Sequence, residues 1–572
     1  MEHLSCYDIL IIGGGASGLM AAICAKEENP DLKILIVDKA CASKGWAGKA
    51  ARTAGLLSYV APDQDPEKFM QYCLNEIGFY LNDQFMLREF AYNSYKVVQH
   101  LRSLGIEFKE KEDGTLDEGK WPFGWTTGGI DPDMCLIFAK KAREYGVHFI
   151  DHCVISGLIK DNNRVIGACG FDIKTGKFDT YFAKETVLAC GSQNFDVTPD
   201  WCSTGVSQLL AFEAGCKFRN VEFAGMGDFA RVSDDGKHLF YGQHGGAHTA
   251  HDHLYANGEN ISQKWRPGLH SSMDPYAANA WYREANGGKT PIYANMEDFF
   301  AHAGGDYFKF HPKSLERDKR REDIAGYPQK APMFRVVPGM ISEMSCIYVD
   351  HQMRTSVPGL FAIGDTSGTG SARGGAVPAP PAKIHGTGLM NAFFMATIAG
   401  RSICECIREL DGIGYTPLKG NALSPEIKQE INQIRERTFS PMNKSGISPR
   451  TVIHRIQDAM APCDYLFIKA EKRMQEALGI VAEAKNMLPE VGIDDYHELS
   501  KYLDARAMVL CAEMFFRASL ERKESRGFHY REDYPNQDKN WLKWLILEND
   551  NGKIAFSTEE IPFSSYNYQP TN

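Results

Sequence analysis

Apolar residues fall in short runs separated by glycine-rich turns and by longer stretches of helical period. Ile9-Leu10-Ile11-Ile12 leads into Gly13-Gly14-Gly15-Ala16-Ser17-Gly18, then a helix-like stretch from Leu19 to Lys26, then a second run, Ile34-Leu35-Ile36-Val37, closed by Asp38. Continuous apolar runs of this length suit buried parallel strands, so Tyr7 to Ala40 predicts a βαβ unit. Gly13, Gly15 and Gly18 stand at G-x-G-x-x-G spacing. The first allows the tight turn, the second lets backbone approach a pyrophosphate, the third lets helix pack on strand, and the helix N-terminus faces the phosphates. Asp38, about 20 residues on, would take ribose hydroxyls. A glycine-rich turn alone would mimic the motif; strand, helix and acid together predict dinucleotide binding.

Further along, Met134 to Tyr145 reads as a helix followed by the strand-like His148-Phe149-Ile150, and Val154 to Asp172 alternates as a hairpin around Asp161-Asn162-Asn163. Thr186-Val187-Leu188-Ala189-Cys190-Gly191-Ser192 is an apolar strand ending in small residues, and Pro358 to Asp365 is another ending in Gly-Asp. Either alone reads equally as a buried strand with a polar turn. Both resemble FAD signatures, and beside the N-terminal unit they make FAD the expected dinucleotide.

From about 233 to 340 the chain is rich in Gly, His, Tyr, Asn and charge and weakly periodic, which suits an insert with long loops. Alternation returns at Ile347-Tyr348-Val349-Asp350. Residues 388–411 read as a closing helix after the loop Val377-Pro378-Ala379-Pro380-Pro381. Helical period then marks Pro425 to Phe439, Pro449 to Met460, Tyr465 to Met487 and His497 to Arg522. The expected fold is α/β: a split Rossmann-like FAD-binding domain (1–232 and 346–415), an inserted α+β capping domain (233–345), a helical domain (424–525) and a C-terminal extension (526–572).

At 572 residues the chain exceeds one core. A net charge of −10 argues against nucleic acid or an anionic membrane surface as a partner. No apolar run approaches a membrane span, so direct membrane insertion is not expected. No export signal is visible, which makes the cytoplasm the expected location. The fifteen cysteines include no C-x-x-C pair, the arrangement that would point to an iron–sulfur cluster or structural zinc, so neither of these is expected.

The chain resembles the fumarate reductase/succinate dehydrogenase flavoprotein superfamily, which includes L-aspartate oxidase and the α subunit of adenylylsulfate reductase, the latter closest in style. The resemblance is carried over nearly the whole length by several blocks. They are Gly13 to Gly18; Thr204-Gly205-Val206-Ser207 with Glu213-Ala214-Gly215 and Val221-Glu222-Phe223; Ser345 to Asp350; Thr355 to Asp365; and Arg522-Lys523-Glu524-Ser525-Arg526-Gly527-Phe528-His529-Tyr530-Arg531-Glu532-Asp533-Tyr534-Pro535 before Asp538 and Trp541. It implies an FAD-dependent oxidoreductase with substrate enclosed between cap and flavin. The FAD contacts it implies are Gly13, Gly15, Ala16, Ser17, Gly18, Asp38, Lys39, Gly45, Val154, Ala189, Gly191, Gly364, Asp365, Gly388 and Leu389. Arg526, His529 and Arg531 are expected to lock the helical domain against the flavin domain.

The chain departs from the family where dicarboxylates are held. The cap stretch Arg-Gly-Glu-Gly-Gly is replaced by Gly242-Gln243-His244-Gly245-Gly246, and the His of His-Tyr-x-Met-Gly-Gly by Ile341. Where a third family arginine sits, the chain reads Lys383-Ile384-His385-Gly386. Val206-Ser207 replaces a common Asp-Gly. A small polar substrate other than fumarate is therefore expected. No histidine lies between His3 and His100, so the stretch Lys44 to Gly55, expected along the flavin ring, cannot carry a histidyl bond and FAD should be noncovalent.

The cap offers a replacement cluster in His244, His248, His251 and His253, with Asp252 and Tyr255. Three readings are open: a metal site, a solvated loop, or acid–base and substrate contact, with His244 and His248 as the candidate catalytic residues. Arg231, Arg266 and Lys383 are candidate substrate cations, although residues of this kind are more often surface charges, and His385 neighbours the last. With no cluster ligands in the chain, electrons are expected to pass through a ferredoxin-like iron–sulfur subunit. The alternatives are a stand-alone flavoenzyme using NAD(P)H or oxygen, and a flavoprotein scaffold without chemistry.

Overall fold

The computed structural model describes residues 6–48, 55–121, 123–197, 204–223, 227–232, 239–240, 253–265, 277–295, 297–298, 309–325, 333–340, 344, 346–368, 387–418 and 423–570. Strand β1 (Cys6–Ile12) is the centre of a parallel sheet. It pairs with β2 (Ile34–Val37) on one side and Phe178–Leu188 on the other, so Ile12 lies between Val37 and Leu188. His148–Ile150 extends the sheet beyond β2, and Leu360–Ala362 pairs in parallel with the C-terminal half of Phe178–Leu188. Strands from both sides of the insert therefore build one sheet, and the FAD-binding domain is split.

Helix α1 (Ala16–Glu28) is buried from Ala16 to Lys26 because it is covered by the sheet on one face and by the helix Thr387–Gly412 on another. The approach is close enough that a Cβ on Gly400 would stand 2.6 Å from Cys24 Cβ. The hairpin Cys153–Asp161 and Arg164–Asp172 joins the N-terminal half of Phe178–Leu188. Its turn residues Asn162 and Asn163 have φ of 47° and 66°, left-handed values that asparagine tolerates.

Between Gly55 and Ile130 the chain adds a three-stranded sheet and the helices Pro66–Tyr72 and Gln84–Ser103. Asp65 and Asp83 cap the two helices by accepting from backbone N–H groups of their first turns.

The insert carries a six-stranded sheet in the order Leu239–Phe240, Gly227–Val232, Met333–Met340, Ile292–Asn295, Leu254–Ala256, Glu259–Asn260. This corrects the expected boundary at 233: the second strand in that order, Gly227–Val232, pairs with Met333–Met340 and so belongs to the insert. Its alternating Phe229-Ala230-Arg231-Val232 carries the regular pattern of the preceding domain, which is why composition placed the change too late.

The helical domain holds Pro425–Phe439, Pro449–Met460, Glu471–Met487 and Tyr496–Glu521. Ser424 and Ser448 cap the first two, each with proline following in the first helical turn. The extension then returns to the flavin domain as a hairpin, Lys543–Asp550 and Lys553–Glu560, whose first strand pairs with Phe218–Arg219. Among the described residues, no helix is long and apolar enough to cross a membrane.

Candidate functional site

The glycines of the first turn are each required for a distinct reason. Gly13 has φ of 105°, and a Cβ there would meet the Ala189 carbonyl oxygen at 2.5 Å. A Cβ on Gly18 would collide with the Gly13 carbonyl, so helix and strand can pack this closely only with glycine there. At Gly15 a Cβ would stand 3.4 Å from Gly48 Cα, and Gly48 is itself left-handed at φ 70°. The two backbones face each other with no side chain of their own in the gap. Gly15 opens α1 without a side-chain cap, so the first N–H groups of the helix are left to a ligand. A backbone-lined gap at an uncapped helix N-terminus fits a pyrophosphate.

Asp38 is tied to this turn directly. Gly14 N–H donates to Asp38 Oδ2 at 2.7 Å, and Ala40 N–H donates to Asp38 Oδ1 at 2.6 Å. Burial raises the Asp38 carboxyl above its usual range while those two N–H groups pull the other way. Ala16 and Ser17 are buried in the first turn of α1. Lys39 reaches Thr204 Oγ1 at 3.5 Å and Asp504 at 3.9 Å, bridging towards the helical domain. Gly45, at φ 72°, closes a short turn against the start of Met134–Glu144. Val154 follows Cys153, whose N–H donates to the Asp38 carbonyl at 3.0 Å. Ala189 N–H donates to Ile12 O at 2.8 Å, and Gly191 is held on both its N–H and its carbonyl by Thr366 Oγ1. Gly364, at φ 64°, abuts Ser17, with Asp365 next in the same turn. Gly388 and Leu389 lie in the first turn of Thr387–Gly412, the helix packed along α1. Gly48 and Thr366 were not singled out in the sequence; the small residues around Gly45 were the available signal for the first.

The candidate catalytic residues divide. His244, His248, Lys383 and His385 lie outside the described residues, as do His251, Asp252 and Arg266. Arg231 is buried in the insert's sheet with its guanidinium 4.7 Å over the Phe334 ring, so it is not a surface charge. His253 is buried at the start of Leu254–Ala256, and its carbonyl accepts from Asn295 N–H at 2.9 Å.

The C-terminal block forms a buried ionic network. Arg522 binds Glu222 Oε1 at 2.6 Å and Glu524 Oε1 at 2.9 Å, and Arg526 holds Glu524 with two hydrogen bonds of 2.8 Å. Arg531 pairs with Asp533 and donates to the carbonyls of Ser519, Leu520 and Arg522. Lys469 Nζ donates to the Glu222 carbonyl at 3.1 Å and lies 3.1 Å from His529 Nδ1. Glu222 is in the last described segment before the insert, so this network ties the insert's root to both C-terminal units. Burial pulls the Lys469 ammonium down to about 7, with Glu222 opposing and Arg531 reinforcing. Burial likewise holds His529 well below its ordinary value.

Lys469 thus binds fewer protons folded than unfolded between about pH 7 and its ordinary 10.5, so its contribution to stability rises with pH across that window. Relative to Lys469→Met, the native chain should gain up to about 1.4 kcal/mol per pH unit there. Denaturation midpoints of both proteins over that range would check this; an unchanged difference would contradict it.

Known protein families and structures agree with this geometry. The FAD binding domain family matches residues 8–227, and the fumarate reductase flavoprotein C-terminal family matches residues 454–572. An uncharacterised FAD-dependent oxidoreductase of Methanocaldococcus jannaschii is 25% identical over 567 residues, covering 95% of this chain and 96% of its own length. L-aspartate oxidase of Pseudomonas aeruginosa is 24% identical over 564 residues, covering 93% of this chain and 96% of its own. The fold is shared with E. coli quinol fumarate reductase at TM-score 0.82 and 18% identity, covering 100% of this chain and 99% of that one. It is also shared with adenylylsulfate reductase of Archaeoglobus fulgidus at TM-score 0.73 and 20% identity, covering 97% and 96%. The chain carries an FAD binding domain and a fumarate reductase flavoprotein C-terminal region, is similar over nearly its whole length to the flavoproteins of the fumarate reductase/succinate dehydrogenase superfamily, and is an FAD-dependent oxidoreductase.

Proposed function

We propose that the enzyme transfers hydride between FAD and a small polar substrate other than fumarate, and exchanges electrons with a ferredoxin-like iron–sulfur protein. The observation that carries the substrate reading is the altered clamp: Gly242 and Ile341 stand where the family places an arginine and a histidine. A dicarboxylate needs cations at both ends in a dry pocket, and these replacements remove them. When bound, FAD supplies hydride exchange at its N5 and electron exchange with a partner.

The chain's own residues would hold that group as follows. The N–H groups at Gly15 to Gly18 and the gap facing Gly48 take the pyrophosphate, and Asp38 the ribose. Val154, Ala189 and Gly191 line the adenosine side with backbone, with Lys39 beside it. Gly45, Gly364, Asp365, Gly388 and Leu389 enclose the ribityl and ring side. Residues 1–226 and 346–415 form the flavin domain and 227–345 the cap over it. In the cap, His244 or His248 would give or take the substrate proton, with Lys383 and His385 contacting the substrate; Arg231 is assigned to packing of the cap sheet.

Neither succinate nor fumarate should change the flavin absorbance of the purified protein at useful rates under anaerobic conditions. Robust reoxidation of reduced flavin by fumarate would overturn the substrate reading. Once a substrate is in hand, His244→Ala or His248→Ala should lower turnover by about 100-fold or more with FAD content unchanged. Full activity in both would return these residues to a solvated loop. Acid precipitation should release all the flavin as FAD, and yellow colour retained in the pellet would contradict noncovalent binding.

A further inference from the structure

Away from the flavin turn, α1 and the helix Gln84–Ser103 end side by side. Cys24 and Glu27 lie in the last two turns of α1, one helical turn apart, and His100 lies in the last turn of Gln84–Ser103. One ligand atom from each, the Cys24 thiol sulfur, a Glu27 carboxylate oxygen and a His100 ring nitrogen, lie within 4.8 Å of one another. His100 Nε2 is 2.9 Å from Glu27 Oε2, and the other Glu27 oxygen accepts from Tyr145 Oη at 3.5 Å. Cys24 is buried, with its sulfur 4.0 Å from Thr397 Oγ1. His100 and Glu27 are partly exposed.

We propose that Cys24, Glu27 and His100 bind one Zn²⁺, with water as the fourth ligand. Thiolate, imidazole and carboxylate are zinc's own ligand set, and its bonds of about 2.0 to 2.3 Å place tetrahedral ligand atoms about 3.3 to 3.6 Å apart. The His100–Glu27 pair must open by a few tenths of an ångström and the thiol draw in by about an ångström at most, within side-chain adjustment. Two helix C-termini converge here, and the partial negative charge at each favours a cation between them. Thr397 and Tyr145 stand behind the sulfur and the carboxylate, where they orient the ligands. The exposed edge at Glu27 and His100 gives a path from solvent, and the thiol proton leaves to solvent as the metal binds. Bound zinc would staple the far end of α1, the helix whose other end faces the pyrophosphate gap, to Gln84–Ser103.

The test is titration of the metal-stripped, FAD-loaded protein with Co²⁺ alone. We expect one Co²⁺ per chain, intense tetrahedral bands to the red of flavin absorption, a thiolate-to-cobalt charge-transfer band, and displacement by Zn²⁺. Cys24→Ser and His100→Ala should each weaken binding by at least about tenfold and remove or shift these bands while FAD content holds. A double His244→Ala, His248→Ala variant should keep them, which separates this site from the insert's histidines. No uptake, uptake without the thiolate band, or bands that persist in Cys24→Ser would overturn the proposal.

Discussion

Gly15→Val should yield a folded protein that retains no FAD. A Cβ at Gly15 stands at ordinary contact distance from Gly48 Cα, so the backbone tolerates a side chain there. That side chain would nevertheless fill the gap the pyrophosphate needs. Gly18→Ala should fail differently. Its Cβ points at the Gly13 carbonyl, a backbone atom that cannot swing away, so the loss is of stability, about 1 to 3 kcal/mol or more as for overpacked cores. Flavin absorbance of the purified variants, with circular dichroism to establish folding, separates the two outcomes. A full FAD spectrum in Gly15→Val would mean that the dinucleotide lies elsewhere.

The second large effect is expected at Arg522. Its guanidinium neutralises Glu222 and Glu524, is fully buried with them, and also donates to the carbonyls of Trp541 and Lys543. Arg522→Leu leaves the buried Glu222 carboxylate without its paired guanidinium, while Glu524 keeps Arg526, and should cost about 3 to 5 kcal/mol. Because the network joins the insert's root to the C-terminal units, FAD should be released at a lower temperature as well. Thermal melts followed by circular dichroism and by flavin fluorescence would show both. A loss within the roughly 0 to 1 kcal/mol of a surface pair would contradict the assigned role.

The parts of this architecture that depend on neighbours in the chain were legible in the sequence. The Ile9–Ile12 and Ile34–Val37 runs, the glycines between them, and the Ser-Pro starts at 424 and 448 are local signals, and each produced its element where expected. What depended on distant partners was not. Beyond its own hairpin partner, the strand Lys543–Asp550 pairs with two residues, Phe218 and Arg219, far earlier in the chain, a pairing that leaves no periodic trace. Several strands of the insert are two to four residues long, too short for alternation to stand out. Gly48 opposes Gly15 only once the flavin domain has folded, and Glu222 meets Arg522 across 300 positions only once the domains are assembled. The carriers of FAD chemistry sit on local motifs and could be named; the residues that press those motifs together could not.

The most direct test of the proposed electron route is anaerobic stopped-flow reduction of the isolated, FAD-loaded chain. NADH or NADPH as sole donor should reduce the flavin slowly or not at all, whereas a reduced low-potential ferredoxin should do so rapidly and saturably, through a docking surface well over ~1,000 Å² if the complex is stable. Fast, partner-independent reduction by a nicotinamide would contradict the iron–sulfur route and make the chain a stand-alone oxidoreductase.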